Sequence, residues 1–185
     1  LLNATHNKEL VGMDFAEIGR MRNCHPYDAV LDILLEEGKD MMACFWTSRS
    51  FRDSDVDLCL SQAECAVISD TVATANEGIL KDHLGSLSGY GWAARFLQYY
   101  VRDREILSLA EGLAKLTSIP AKRLGLKGRG YLKNGFHADI CVFDLDKPWV
   151  IKASELKSKS KNTAIEDRKL QGKVLMTFLN GELVF

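Results

Sequence analysis

The residue best placed for chemistry is Asp70. It closes the apolar run Cys65-Ala66-Val67-Ile68-Ser69-Asp70-Thr71, which reads as a buried parallel strand delivering one carboxylate at its C-terminal end. Where strands and helices alternate, reacting groups sit where strands end, because the backbone is fixed there while the side chain still reaches a cavity. A carboxylate there can serve as a general acid or base. The competing reading is local: Ser-Asp-Thr is ordinary loop-start chemistry, with Asp70 capping the next turn.

Other chemical candidates are few. His6, His25, His83 and His137 are scattered and form no His-x-His pair. His6 reads as a loop residue, His25 as a helix start before Pro26, and His137 as structural. Cys24, Cys44, Cys59, Cys65 and Cys141 are odd in number with no C-x-x-C spacing, as suits reduced cytoplasmic thiols serving as buried small hydrophobes. Cys44 and Cys65 fall in expected strands. Arg95 is expected to make an ion pair.

The elements that must position these groups follow from periodicity. Asp14 caps a helix carrying Phe15, Ile18 and Met21, and Pro26 opens a second whose stop is Gly38. Met41 to Trp46 reads as a strand covered on both faces and Asp53 to Leu60 as a helix, so that strand, helix and the Asp70 strand make one right-handed crossover. Thr71 to Tyr90 is irregular and long enough to cap a site. Gly91 to Arg102 is helical with Trp92, Phe96 and Tyr99 or Tyr100 inward. Ser108 to Glu111 is a capping box, and Ser118-Ile119-Pro120 opens a short helix ending at Gly125. The period then becomes alternating in 138–143, 149–151, 174–179 and 182–185, with Asn180-Gly181 as a hairpin turn. The lysine-rich stretch 152–161 reads as a solvated loop.

The chain has 185 residues, a net charge of -1, 46% hydrophobic and 26% charged residues. That balance argues for a small-molecule substrate and against nucleic acid or an anionic membrane as partner. No apolar run approaches the roughly 18 residues of a membrane span, and the opening residues lack signal-peptide character, so a cytoplasmic location is expected. Leu1-Leu2 reads as an entry in mid-domain, and the chain is treated as a fragment.

Ile68-Ser69-Asp70-Thr71, Tyr100-Val101-Arg102-Asp103 and the run Lys115 to Leu126 (KLTSIPAKRLGL) together resemble the metal-dependent amidohydrolase superfamily, and within it the D-aminoacylase branch, the N-acyl-D-amino-acid deacylases. Gly128-Arg129-Gly130, Asn134-Gly135, Ala138 to Asp144 and the closing Leu179 to Val184 resemble the family's passage into its small β domain. The resemblance implies an α/β fold, with the C-terminal part of a (β/α)8 TIM-like barrel over 1–126 and part of a small β-sandwich over 127–185. It implies hydrolysis of a non-peptide C–N amide bond, one or two zinc ions held mostly by ligands outside this chain, Asp70 as proton shuttle and metal neighbour, and no hydrolysis by the fragment alone. His83 stands where the family contacts the substrate carboxylate, although Asp82-His83-Leu84-Gly85 lacks the arginine that follows there. The rivals are a cyclic-amide or deaminating amidohydrolase and a non-catalytic module. For the latter, open strand edges at 41–46 and 65–68 invite self-association or association with the absent N-terminal part.

Overall fold

The computed structural model describes every residue except 49, 76, 79, 80 and 82–87. The chain divides into two compact units, Leu1–Ser50 with Thr74–His83, and Phe51–Ala73 with Leu84–Phe185.

In the first unit, helix α1 (Phe15–Arg22) starts at a reciprocal capping box. Asp14 accepts from the Glu17 N–H at 2.7 Å, while Glu17 accepts from the Asp14 N–H at 3.0 Å. Helix α2 (Pro26–Glu37) begins with Pro26 behind a His25 cap, whose ring accepts from the Tyr27 N–H, and stops at Gly38 with φ 55°. The two helices close a core of Leu10, Ile18, Ala29 and Ile33 with Leu1 and Ala4. The expected strand at Met41–Trp46 does not form. Gly38–Ala43 is a 3₁₀ turn, and only Phe45 pairs, with Asn3, through two hydrogen bonds of 3.0 Å. A strand exists only through its neighbours, and among the described residues nothing extends that one bridge into a ladder. Met42 accordingly stands 77% exposed.

The second unit begins with helix α3 (Asp53–Ser61). The segment from Cys65 to Thr71 carries neither helix nor strand, its Ile68 78% exposed, so the buried parallel strand and the crossover built on it are not present. The same physical reason applies: no described residue offers it a strand to pair with. Helix α4 (Trp92–Phe96) runs on into a π-helical turn over Leu97–Asp103. Helix α5 (Leu109–Leu116) opens at the Ser108–Glu111 capping box, and α6 (Ser118–Arg123) follows at once.

The chain ends in an antiparallel ribbon of β1 (Ile140–Val150), β2 (Lys169–Leu179) and β3 (Glu182–Leu183), ordered β1-β2-β3. β1 joins the two strands expected at 138–143 and 149–151 across an irregularity, where the Asp144 carboxylate accepts the Asp146 and Lys147 N–H groups. The register sets Ile140 opposite Phe178 and Trp149 opposite Leu170. Asn180 and Gly181 have φ of 50° and 87°, the two left-handed residues that a tight hairpin turn requires. Two clusters fill this unit. One holds Leu60, Phe96, Leu97, Val101 and Leu107; the other holds Ile151, Ile165 and Leu170. Neither a parallel barrel strand nor a second sheet occurs among the described residues.

Candidate functional site

Asp70 is the end of an anchored rope rather than of a strand. Lys115, on the inward face of α5 one turn after Gly112, is buried and sends its ammonium to the Gln62 carbonyl at 2.7 Å and, more weakly, to that of Cys65 at 3.4 Å. The Val67 N–H donates to the Lys115 carbonyl at 3.1 Å, and Arg123 of α6 donates to the Glu64 carbonyl at 3.1 Å. The Ser88 hydroxyl donates to the Ser69 carbonyl at 3.1 Å. Past that point Asp70 turns into the left-handed region at φ 41°, a conformation Asp tolerates better than most residues, and its side chain is exposed. An exposed carboxylate on a fixed backbone can exchange protons with solvent or substrate.

The other sequence candidates do not gather around it. His6 pairs with Asp40 at 3.0 Å, His25 caps α2, and the exposed His137 ring meets the Asn180 side-chain oxygen at 3.1 Å. His83 lies outside the described residues. All five cysteines are free thiols, and Cys59 and Cys141 are exposed rather than buried because their positions face away from the packed side of α3 and β1. Cys44 and Cys65 are half-buried but lie in no strand. Burial, then the Glu37 charge, pushes the Cys44 thiol up, which leaves it a poor nucleophile.

Beside the anchored segment is a cleft of about 370 Å³ lined by Val67, Ser69, Trp92, Arg95, Tyr99 and Arg168, among others. The π-helical turn shapes it. The Tyr100 carbonyl accepts the Ile106 and Leu107 N–H groups, and Tyr99 and Tyr100 stand edge to face at 5.0 Å. Arg104 is held by Asp57 in a two-pronged pair at 2.8 and 2.6 Å and lies 5.2 Å from the Tyr99 ring centre. Arg95 makes no ion pair among the described residues. Its guanidinium sits 4.4 Å from the Tyr99 ring centre instead, in a cleft with no carboxylate among its described lining residues. Burial, followed by the charges of Tyr99, Asp53 and Asp57, raises the Tyr100 phenol above its ordinary value, so it stays protonated. The roles of Lys115 and the π-helical turn were missed in the sequence; the available signal was a lysine on the apolar stripe of α5.

Among the described residues no three His, Cys, Asp or Glu side chains converge as a metal site. None of the described helices is long and apolar enough to cross a membrane.

Helices followed by an antiparallel ribbon make this a mixed α/β chain. Residues 71–185 match the model of the amidohydrolase family, and the chain belongs to that family. Its curated relatives include the dihydroorotase of Lactobacillus gasseri, 37% identical over 86 residues, which are 46% of this chain and 20% of the relative. The dihydroorotase of Endomicrobium trichonymphae is 42% identical over 83 residues, 45% of this chain and 20% of the relative. Among solved structures, a D-aminoacylase studied for its binuclear metal centre aligns over 98% of this chain and 33% of its own, with TM-score 0.59 and 22% identity. The N-acyl-D-glutamate deacylase of Bordetella bronchiseptica, complexed with zinc and a phosphonate inhibitor, aligns over the same shares, with TM-score 0.57 and 20% identity. The chain thus spans about a fifth of the length of these curated relatives and a third of these structures.

Proposed function

We propose that this chain is part of a hydrolase that cleaves a non-peptide C–N amide bond of N-acyl-D-amino acids, with Asp70 as its proton shuttle. The observation that carries the reading is the placement of Asp70: an exposed carboxylate on a backbone anchored through Lys115, Arg123 and Ser88, directly before the stretch that matches the amidohydrolase family. The backbone likeness to D-aminoacylases supports the acyl-amino-acid substrate class. In this reading residues 1–126 contribute to a barrel and 127–185 to a small β domain.

Water adds to the carbonyl carbon, a C–O bond forms and the C–N bond breaks. Asp70 takes a proton from the water on one carboxylate oxygen and gives it to the departing nitrogen, so the products are a carboxylic acid and an amine. The residues described do not by themselves fit a zinc site, because no convergent ligand set exists among them. A zinc partner for Asp70 therefore needs ligands from outside these residues, and the proton transfer is assigned here to Asp70 alone. His83, outside the described residues, keeps the role of substrate contact in this proposal.

A second reading, a cyclic-amide hydrolase, is favoured by the dihydroorotase names of the relatives at 37 and 42% identity. The test is hydrolysis of an N-acetyl-D-amino-acid panel and of dihydroorotate by the full-length natural protein, as wild type and Asp70→Asn. Turnover of the D-amino-acid derivatives that falls by about 10²–10⁴ on substitution is the expected result. Turnover of dihydroorotate alone transfers the reading to cyclic amides, and an unimpaired Asp70→Asn enzyme refutes the shuttle. The 185-residue chain alone is expected to hydrolyse neither.

A further inference from the structure

We propose that the cleft beside Ser69 is a binding site for a small aromatic carboxylate, its anionic end held by Arg95 and Arg168 and its ring laid against Trp92 and Tyr99. The site stands apart from the hydrolytic reading, since binding there requires no turnover.

Charge carries the argument first. The chain has 25 acidic residues against 24 basic ones, yet the described residues lining this cleft include two arginines and no Asp or Glu. Elsewhere five arginines meet carboxylates, Arg22 with Glu36, Arg102 with Asp103, Arg104 with Asp57, Arg123 with Glu64 and Arg129 with Asp139, whereas the exposed Arg20 and Arg52 line no such cleft. Arg95 and Arg168 have no such partner among the described residues, and both are exposed. Two unneutralised guanidinium groups at one cavity favour an anion, and the planar fork of each matches a carboxylate.

The walls decide the rest of the ligand. Trp92, Phe96, Tyr99 and Tyr100 give the cleft an aromatic side, and Ile165 and Leu170 an aliphatic one. Tyr99 is kept in place by Arg95 on its ring and by Arg104, itself fixed by Asp57. A volume of about 370 Å³ falls at the small end of ligand sites, which run from about 300 to 1,000 Å³. The larger hollow nearby, lined by Lys152, Lys157, Lys161 and Lys173, differs in kind. There Lys152 is neutralised by Asp167, Lys161 is bound to the Leu156 carbonyl, and Lys157 lies over the Phe185 ring.

The experiment is isothermal titration of the full chain with benzoate and with neutral benzamide, repeated on Arg168→Gln and Arg95→Gln, with circular dichroism to establish that each variant is folded. Arg168 is exposed, so its substitution leaves the packing alone; Arg95→Gln removes a ring contact as well and serves as the second probe. Saturable benzoate binding that weakens at least about tenfold in folded Arg168→Gln, with no binding of benzamide, is the expected result. Absence of benzoate binding, equal binding of benzamide, or unchanged affinity in Arg168→Gln overturns the proposal.

Discussion

Replacing Glu37 by Gln should destabilise the first unit by about 3 kcal/mol at neutral pH, and the loss should shrink in acid. Glu37 ends α2 and is 1% exposed. One of its oxygens accepts the His6 and Asn7 N–H groups and the Asn7 side-chain amide, each at 3.0 Å; the other accepts the Thr5 N–H at 2.8 Å. Burial pushes this carboxyl up, but the Asn7 amide and the three backbone donors outweigh it and hold the group at about 2 against an ordinary 4.5. At about 1.4 kcal/mol per pH unit, that difference is worth about 3 kcal/mol of folding free energy. Because the folded value is the lower one, the contribution is complete above pH 4.5 and is lost as pH falls through about 2. Glutamine keeps the shape and one acceptor, but it turns an amide NH₂ toward a donor and removes the charge from the remaining bonds. Native-state hydrogen exchange at the core amides of Ile18 and Ile33 reads this unit by itself. The gap between wild type and Glu37→Gln should narrow by about 2 kcal/mol between pH 7 and pH 3. A gap below about 1 kcal/mol at pH 7, or one that does not change with pH, would refute the assignment of the loop's order to this carboxylate.

Two further outcomes concern the second unit. Lys115→Met strips two backbone carbonyls of their donor and should cost about 1–3 kcal/mol in urea denaturation, with faster exchange at the Val67 amide; unchanged exchange there would show that the 62–67 segment is held some other way. Gly130→Ala introduces a Cβ at 2.7 Å from that of Ala121 and 3.1 Å from the Thr117 carbonyl oxygen, at a φ of 83°, and should lower the melting temperature by several degrees, whereas an unchanged melting point would mean that the turn before the ribbon relaxes freely.

The parts of this molecule legible in the sequence are those that one stretch of backbone settles alone. Asp14 with Glu17, Ser108 with Glu111, Pro26 at a helix start, Gly38 at its stop and Asn180-Gly181 at the hairpin all act within a few residues, and each occurs where its chemistry says. Met41–Trp46 and Cys65–Thr71 form no strand although their apolar runs suggest one, because such a run specifies only that a segment wants covering. Whether it becomes a strand depends on another strand lying alongside, which no local pattern encodes. Asp70 was found as the carboxylate ending an apolar run, but its anchoring by Lys115, Arg123 and Ser88 comes from residues 18 to 53 positions away.

Most helices, their caps, the closing hairpin and the family resemblance are written in short-range backbone chemistry and contiguous motifs, whereas the π-helical turn at Leu97–Asp103 is not. Helical spacing puts Glu37 on the face of Ala29 and Ile33, but it took the fold to cover that carboxylate with the Thr5, His6 and Asn7 donors while Glu36 faces solvent and Arg22. The fold likewise brings Arg95 and Arg168, 73 positions apart, to one cleft with no acid among its described lining residues. In both cases the physical cause is the same: the energy of a charge depends on which groups surround it in space, and that neighbourhood is assembled from segments far apart in the chain.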